Sequence, residues 1–404
     1  MNEPEILQRR VYSERIAPFM RTPLVKVLVG ARRVGKSCIL MQLMQRIRAE
    51  EEQPNIIYIN KEDLAFATLR TYRELNDYLL RRLESRRRNY IFIDEVQEIE
   101  EFGLAIRSLA LNPLNDIYLT GSNSHFFSSD LALALGGRHI AFRVYSLAYS
   151  EFLQFHGLDD SAESLEKYTR FGGLPYLRHL PLREDVVESY LRSVYDTIVL
   201  RDVVARHHIR HTRFLEQLTR YLADNVGSLF AAKNISDYLK SQQVTITPAL
   251  VSDYVEALVA AYFIHRLSRY DIVGKRLFER GEKFFFEDLG VRNALVGYKP
   301  QDRAKRLENL VCNHLLFCGY DVAVGALATE EVDFVATRNG ERLYVQVATE
   351  LLHAETFQRE VGNLLRIKDN YPKLVVTAQE SHENTYEGVR LVGIREFLTQ
   401  SVQP

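Results

Sequence analysis

Gly30, Gly35, Lys36 and Ser37 stand at the spacing G-x-x-x-x-G-K-[ST]. Those residue types at those intervals suit the binding of a nucleoside polyphosphate. The two glycines let the backbone curl so that consecutive N–H groups point inward at phosphate oxygens. Lys36 would reach the β- and γ-phosphates, and the Ser37 hydroxyl would ligate Mg²⁺. Along this loop Gly30, Ala31, Arg32, Arg33, Val34, Gly35, Lys36, Ser37 and Cys38 are the candidate nucleotide contacts. A second set follows about 60 residues on, where the apolar run Tyr90-Ile91-Phe92-Ile93 ends in Asp94-Glu95. Asp94 would hold the Mg²⁺ water shell together with Ser37. Glu95 would orient and polarise an attacking water. Alone, two acids after a strand also serve as a helix N-cap; behind a phosphate loop they point to hydrolysis. Ser122 or Asn123, after the run Asp116–Thr120, is placed to sense the γ-phosphate, with a polar turn as the alternative. Arg138 is a third catalytic candidate. Its fork of donors suits a phosphate contact in cis, a finger in trans, or plain surface structure.

The elements that must position these groups are legible as patterns. Leu24–Val29 reads as a buried strand entering the loop. Ile39, Leu40, Leu43, Met44 and Ile47 follow at helical spacing, so the loop opens a helix whose N-terminus also faces the anion. Ile56–Asn60 is a second strand, and Thr71–Arg88 is expected to be one helix with a basic tail. The acidic strand is third, Asp116–Thr120 fourth and His139–Val144 fifth. Strands alternating with helices predict a parallel sheet with helices on both faces.

The loop, Phe92-Ile93-Asp94-Glu95, Leu119-Thr120-Gly121-Ser122 and Gly137-Arg138 resemble the AAA-type P-loop ATPases of bacteria and archaea that carry a C-terminal domain of unknown function. So do Ser146-Leu147-Ala148-Tyr149-Ser150-Glu151-Phe152, Phe171-Gly172-Gly173-Leu174-Pro175 and Phe285-Phe286-Glu287-Asp288-Leu289-Gly290. The resemblance spans nearly the whole chain. It implies an ATPase module, a winged helix-turn-helix and a tail resembling restriction-endonuclease folds. The expected α/β organisation is an ATPase domain over 1–155, a helical lid or linker over 156–225, a winged helix-turn-helix region over 226–299 and a nuclease-like domain over 300–404. The implied cofactors are ATP and Mg²⁺.

Beyond the ATPase module the chemistry thins. His207 and His211 stand at i, i+4 inside a basic run from Arg201 to Arg213, but no neighbouring acid or cysteine completes a metal set. The run suits either a solvated face or a phosphate-meeting patch. Asn234–Lys240 reads as a short helix. Thr247-Pro248 then caps a helix that buries Leu250, Val251, Tyr254, Leu258 and Val259, and Tyr262–Leu267 follows as a wing strand. The exposed face of that helix offers Ser252, Asp253 and Glu256, which suits a protein partner better than DNA. In the tail, the resemblance puts nuclease-like positions at Glu308, Asp333 and the strand Leu343–Ala348. There an acid and a lysine would share one strand face; this chain has Gln346 and Ala348. An amide is a poor Mg²⁺ ligand and alanine cannot polarise water, so a catalytically degenerate nuclease fold is expected.

Lys+Arg 52 against Asp+Glu 53 leaves a formal net charge of −1, which excludes a global polycation field drawing the chain to nucleic acid or membrane. No apolar run reaches about eighteen residues, and Met1-Asn2-Glu3-Pro4-Glu5 does not read as a signal peptide. Cys38, Cys312 and Cys318 neither pair off nor make a zinc cluster, and read as reduced core thiols of a cytoplasmic protein. No guanine-reading Asn-Lys-x-Asp stretch is present, which favours ATP over GTP. A homo-oligomer, a protein partner and DNA all remain compatible with the chain. A nucleotide-bound scaffold and an ATP-gated nuclease stand as alternatives to an ATP-hydrolysing switch.

Overall fold

The computed structural model of the chain describes residues 7–124, 135–207, 209–241, 246–277, 281–327, 330–351, 354–379 and 384–400. Two compact units emerge. The first takes residues up to Tyr145 together with Ala260–Tyr262, and the second takes Ser146–Val259 and the chain from Phe263 onward.

The first unit is built on a five-stranded sheet of β1 (Val25–Val29), β2 (Asn55–Asn60), β3 (Asn89–Asp94), β4 (Asn115–Gly121) and β5 (His139–Arg143), in the order β2-β3-β4-β1-β5. All four neighbouring pairs run parallel. Every residue of β1, β3 and β4 is buried, as the continuous apolar runs predict for strands covered on both faces. The helix Lys36–Glu50 buries Ile39, Leu40, Leu43, Met44 and Ile47, the stripe that marked it in the sequence. Strand β1 also buries Lys26, whose ammonium pairs with Asp116 on β4 and lies 4.7 Å from the Tyr118 ring centre. A charge at the sheet centre persists only with such a partner.

The expected helix over Thr71–Arg88 is shorter than its pattern. It starts where predicted, with Thr71 and Glu74 closing a capping box, but ends at Leu80. Downstream the Asn89 side chain accepts from the Glu84 N–H (2.8 Å) and donates to the Glu84 carbonyl (3.1 Å). These bonds satisfy the main chain in a turn and compete with helical pairing. Arg81 caps this helix, and the basic residues from Arg82 to Arg88 therefore lie beyond its end.

The second unit holds helices over Tyr149–His156, Ala162–Phe171 and Glu184–Thr197, a π-helical continuation over Ile198–Ala205, and a helix over Thr212–Asp224. Helices Ala232–Ser241 and Pro248–Ala260 follow, the latter crossing into the first unit at its end and capped by the Thr247 hydroxyl, which accepts from the Leu250 N–H. Strands β6 (Leu229–Phe230), β7 (Ile264–Leu267) and β10 (Glu282–Phe286) make an antiparallel sheet in the order β6-β10-β7. A mixed eight-stranded sheet takes β8 (Arg269–Asp271), β9 (Arg276–Leu277), β11 (Asp321–Leu327), β12 (Glu330–Arg338), β13 (Glu341–Ala348), β14 (Lys373–Thr377), β15 (Asn384–Tyr386) and β16 (Val389–Gly393). Its order is β15-β16-β14-β13-β12-β11-β8-β9, with β13, β14 and β16 mutually parallel.

Three motifs far apart in sequence are tied at the start of this unit. The Ser146 N–H donates to Glu287 (2.8 Å), the Leu147 N–H to the Gly173 carbonyl (2.7 Å) and the Gly173 N–H to Asp288 (2.7 Å). Asp288 also caps the helix Leu289–Val296 through the Val291 N–H. Glu287 in turn pairs with His265 at 3.0 Å. Buried carboxylates joined to backbone donors in this way fix one arrangement of segments 146–147, 172–173 and 287–288.

Candidate nucleotide site

Parallel strands present their carboxyl ends to one edge of the sheet, and in the first unit that edge carries the chemistry. Gly30 leaves β1 at φ +153°, and a Cβ there would sit 2.1 Å from the Val144 carbonyl oxygen, so the turn admits glycine alone. The loop then closes onto the helix Lys36–Glu50, whose N-cap is Gly35 at φ 93°. Inside the loop the buried Lys36 ammonium donates to the carbonyls of Gly30 (3.0 Å) and Ala31 (2.8 Å).

Strand β3 ends at Asp94 and delivers Glu95 beside this lysine. Glu95 Oε1 lies 3.8 Å from Lys36 Nζ, and Oε2 lies 4.0 Å from Arg32. Its Oε2 also accepts from Ser122 Oγ (3.1 Å) and from the Gln97 amide. Gln97 Nε2 reaches Ser122 Oγ as well, at 3.3 Å. The backbone of Glu95 is left-handed at φ 54°, uncommon for a non-glycine residue and held by its N–H bond to Thr120 Oγ1 (2.8 Å). Asp94 in turn accepts from Thr120 and from Ser37, and Tyr58 donates to it at 3.4 Å.

The two neighbouring carboxylates are driven apart in acidity. Burial pushes Asp94 above the usual aspartate range, more strongly than its bonds to Ser37 and Thr120 lower it. Burial acts on Glu95 in the same direction, but Lys36, Arg32, Gln97 and Ser122 together outweigh it and hold Glu95 below its ordinary value. One edge thus carries an ionised glutamate facing two cations and, beside it, an aspartate short of positive charge.

The loop residues Gly30 to Cys38, Asp94, Glu95 and Ser122 therefore come together at one place. Arg138 does not join them. Its carbonyl accepts from the Val25 N–H at 3.0 Å, which puts it at the amino end of β1, a strand length or about 17 Å from the loop. From that end of the strand its side chain does not reach the loop in cis, and a finger in trans or plain surface structure stays open. The arginine of β5 at the carboxyl edge is Arg143, paired in register with Val29 and lying over the rings of Tyr145 and Tyr262. Cys38, expected in the core, is exposed; Cys312 is buried and Cys318 half-buried. Position 38 lies just past the loop on the open side of the first helical turn, while its neighbours Ile39 and Leu40 take the buried stripe.

The sequence reading missed two contributors. Gln97 carries no motif, and only its distance of two residues from Glu95 hints at a role. Arg9 belongs to a polar, basic leader, yet it is 2% exposed and donates to the carbonyls of Val34 and Tyr145, both at 2.8 Å. It ties the phosphate loop to the segment leaving β5.

In the second unit, Glu308, Asp333 and Gln346 also meet. Gln346 accepts from the Asp333 N–H (3.2 Å) and donates to Glu360 (2.7 Å), while Asp333 accepts from the Val347 N–H (2.8 Å). Lys283 comes from β10 and bonds Glu331. Glu331, Glu360 and Lys283 were not foreseen. Ala348 lies in an apolar cluster with Val335, Val361, Leu364 and Val375. Burial, helped by Glu331 and Glu360 and opposed by Lys283, pushes Glu308 up to about 7. Burial and Glu308 raise Asp333 well above its usual value. Among the described residues, no group of three or more His, Cys, Asp or Glu side chains is arranged to hold a metal ion, His207 and His211 included.

A parallel sheet with a glycine-bounded lysine loop at its carboxyl edge, and one strand (β4) between the loop strand and the acidic strand, defines a P-loop nucleotide-binding protein. Residues 22–153 match a family described as an AAA domain, and residues 162–302 match a domain of unknown function, DUF8612. An uncharacterized protein of Haemophilus influenzae is 32% identical over 401 residues, 98% of this chain and 99% of its own length. An uncharacterized protein of Methanocaldococcus jannaschii is 28% identical over 342 residues, 81% of this chain and 75% of its own. The Walker-type ATPase of Pyrococcus abyssi superposes with a TM-score of 0.49 at 18% identity, covering 73% of this chain and 97% of that one. The chain belongs to the AAA-type P-loop ATPase family.

Proposed function

We propose that the protein binds and hydrolyses ATP with Mg²⁺ at this edge and acts as a molecular switch for its C-terminal half. The observation that carries the reading is Glu95, ionised, within 4.0 Å of both Lys36 and Arg32. A γ-phosphate entering the loop competes for those cations and frees the carboxylate to take a proton from water. Ser37 and Asp94 offer hard oxygen donors that already face each other, and burial pushes the Asp94 pKa up, marking a carboxylate whose charge is undercompensated, so the pair fits Mg²⁺. Bound there, Mg²⁺ would neutralise charge on the β- and γ-phosphate oxygens. Lys36 and the loop N–H groups bind and orient the phosphates. Gln97 and Ser122 keep the Glu95 carboxylate aimed into the site.

The second unit is the output end. Three helices and the β6-β10-β7 sheet have the composition of a winged helix-turn-helix, inside the region 226–299, following a helical linker over 156–225. Its helix Pro248–Ala260 exposes Ser252, Asp253 and Glu256, with Glu256 paired to Arg266. Carboxylates on that face repel a phosphate backbone and favour a protein partner over DNA. The region 300–404 is a nuclease-like fold that has lost cleavage, because Gln346 bridges Asp333 and Glu360 and Ala348 sits among apolar side chains.

Steady-state ATP hydrolysis by the purified chain, beside Lys36→Ala and Glu95→Gln, tests this reading. Turnover lost by at least about a hundredfold in both is expected. Wild-type protein that binds ATP with no turnover above Glu95→Gln would instead support a nucleotide-bound scaffold.

A further inference from the structure

Ala260–Tyr262 pack with the first unit, while the chain on either side, up to Val259 and from Phe263, packs with the second. The helix Pro248–Ala260 therefore ends inside the nucleotide-binding unit. Its end is unusual. Tyr262 is buried and stands at φ 55°, and the Phe263 N–H donates to the Leu258 carbonyl (3.0 Å), a helix closure that puts a left-handed residue at 262. Glycine is the usual choice there, because a bulky side chain is strained in that region. A tyrosine at this position carries backbone strain that its side-chain contacts must offset.

The ring meets Arg143, whose guanidinium lies 4.9 Å from its centre and 5.1 Å from that of Tyr145. Burial pushes the Tyr262 hydroxyl up to about 12, opposed by the Arg143 charge. The next residue, Phe263, already packs in the second unit against Tyr195 and Phe286. Arg143 stands at the carboxyl end of β5, in register with Val29, the residue before Gly30. The main chain after it is pinned. The Val144 N–H donates to the Val29 carbonyl (2.7 Å) and the Tyr145 N–H to the Tyr12 hydroxyl (3.0 Å). Arg9 holds the Tyr145 carbonyl together with that of Val34 in the loop. What can answer a ligand at this place is therefore the Arg143 side chain. A guanidinium gains more from a phosphate than from an aromatic face, so a polyanion in the loop competes with Tyr262 for it.

We propose that Arg143 and Tyr262 relay the state of the phosphate loop to the helix Pro248–Ala260. Arg143 on the ring holds the helix end, and a nucleoside triphosphate in the loop draws the guanidinium toward its phosphates and loosens that hold. The relay rests on nucleotide capture by the loop, as proposed above, and supplies its route to the C-terminal half.

The chain has no tryptophan, so Tyr262→Trp introduces a single reporter that keeps an aromatic face for Arg143. Its emission is followed in the full chain during titration with Mg²⁺ and the non-hydrolysable analogue AMPPCP, with calorimetry on the same samples. A saturable emission change is expected, with the calorimetric midpoint, and its amplitude should fall at least about fivefold when Arg143→Ala is added at saturating nucleotide. Tyr262→Gly suits the left-handed backbone and removes the ring, so by linkage it should bind the analogue about three- to thirtyfold more tightly. Tyr262→Phe keeps the ring and should match wild type. Calorimetric binding with a flat Trp emission, an emission change that survives Arg143→Ala, or wild-type affinity in Tyr262→Gly would each overturn the relay and leave nucleotide binding in place. No calorimetric binding by the wild type would defeat the nucleotide reading, and the relay with it.

Discussion

Two places in this molecule gather carboxylates and a lysine at strand ends, and they resolve the charges in opposite ways. At the nucleotide edge, Lys36 and Arg32 face Glu95 directly and keep it ionised. In the C-terminal sheet, Lys283 is engaged by Glu331, and burial pushes Glu308 and Asp333 above their ordinary ranges. The first arrangement is poised for a polyanion that competes for its cations. The second is a hydrogen-bonded core in which Gln346 joins Asp333 to Glu360. Two acids near a lysine therefore do not make one kind of environment; which group each cation neutralises sets it.

Four measurements would break or sharpen that contrast. The largest effect belongs to Glu95→Gln, which removes the proposed general base and should lower turnover by about two to four orders of magnitude while leaving ATP affinity within a few-fold. Next comes Glu308→Gln. The native carboxyl titrates near 7, against 4.5 for an ordinary glutamate. Both folded and unfolded chains hold the proton below pH 4.5, so its stabilising share is complete there and is lost as pH rises through 7. Glu308→Gln should thus flatten the fall in stability between pH 5 and 8 and raise stability at pH 8 by about 1–3 kcal/mol. Denaturant melts at both pH values would show it, and a variant less stable at pH 8 would refute the protonated cluster. Gln97→Ala should reduce turnover by about tenfold with ATP affinity retained, and shift the acidic limb of the pH–rate profile upward as Glu95 loses a donor. An unchanged profile would mean that Gln97 only fills space. The smallest effect is assigned to Arg138→Ala, whose turnover should stay within about twofold of wild type.

The nucleotide edge was largely legible because its information is local. The loop, its strand and its helix are contiguous from Val25 to Glu50, and the apolar stripe after Lys36 has no other reading. Asp94 and Glu95 could be placed because a wholly apolar strand leads to them. The three readings of Arg138 stayed open because motif spacing does not reveal which end of a strand a residue occupies; Val25 pairing with His139 puts it at the amino end. The helix after Thr71 was overextended because the turn that follows it is held by the Asn89 side chain on Glu84, which no break in helical periodicity announces. The C-terminal cluster was half visible. Gln346 and Ala348 stand out on one strand, but Lys283 and Glu360 arrive from elements on either side in sequence, and only the folded sheet brings them beside Glu308. Gln97 and Arg9 act through side-chain hydrogen bonds that no periodicity records.

The most direct test of the nucleotide site follows a single turnover. Wild-type protein and Glu95→Gln are loaded with labelled ATP and Mg²⁺, quenched over time, and the bound ATP and ADP are counted. The account predicts that wild type converts its bound ATP to ADP, while Glu95→Gln binds the same amount and keeps it as ATP. Equal conversion by both proteins, or bound ATP that persists in the wild type, would contradict it.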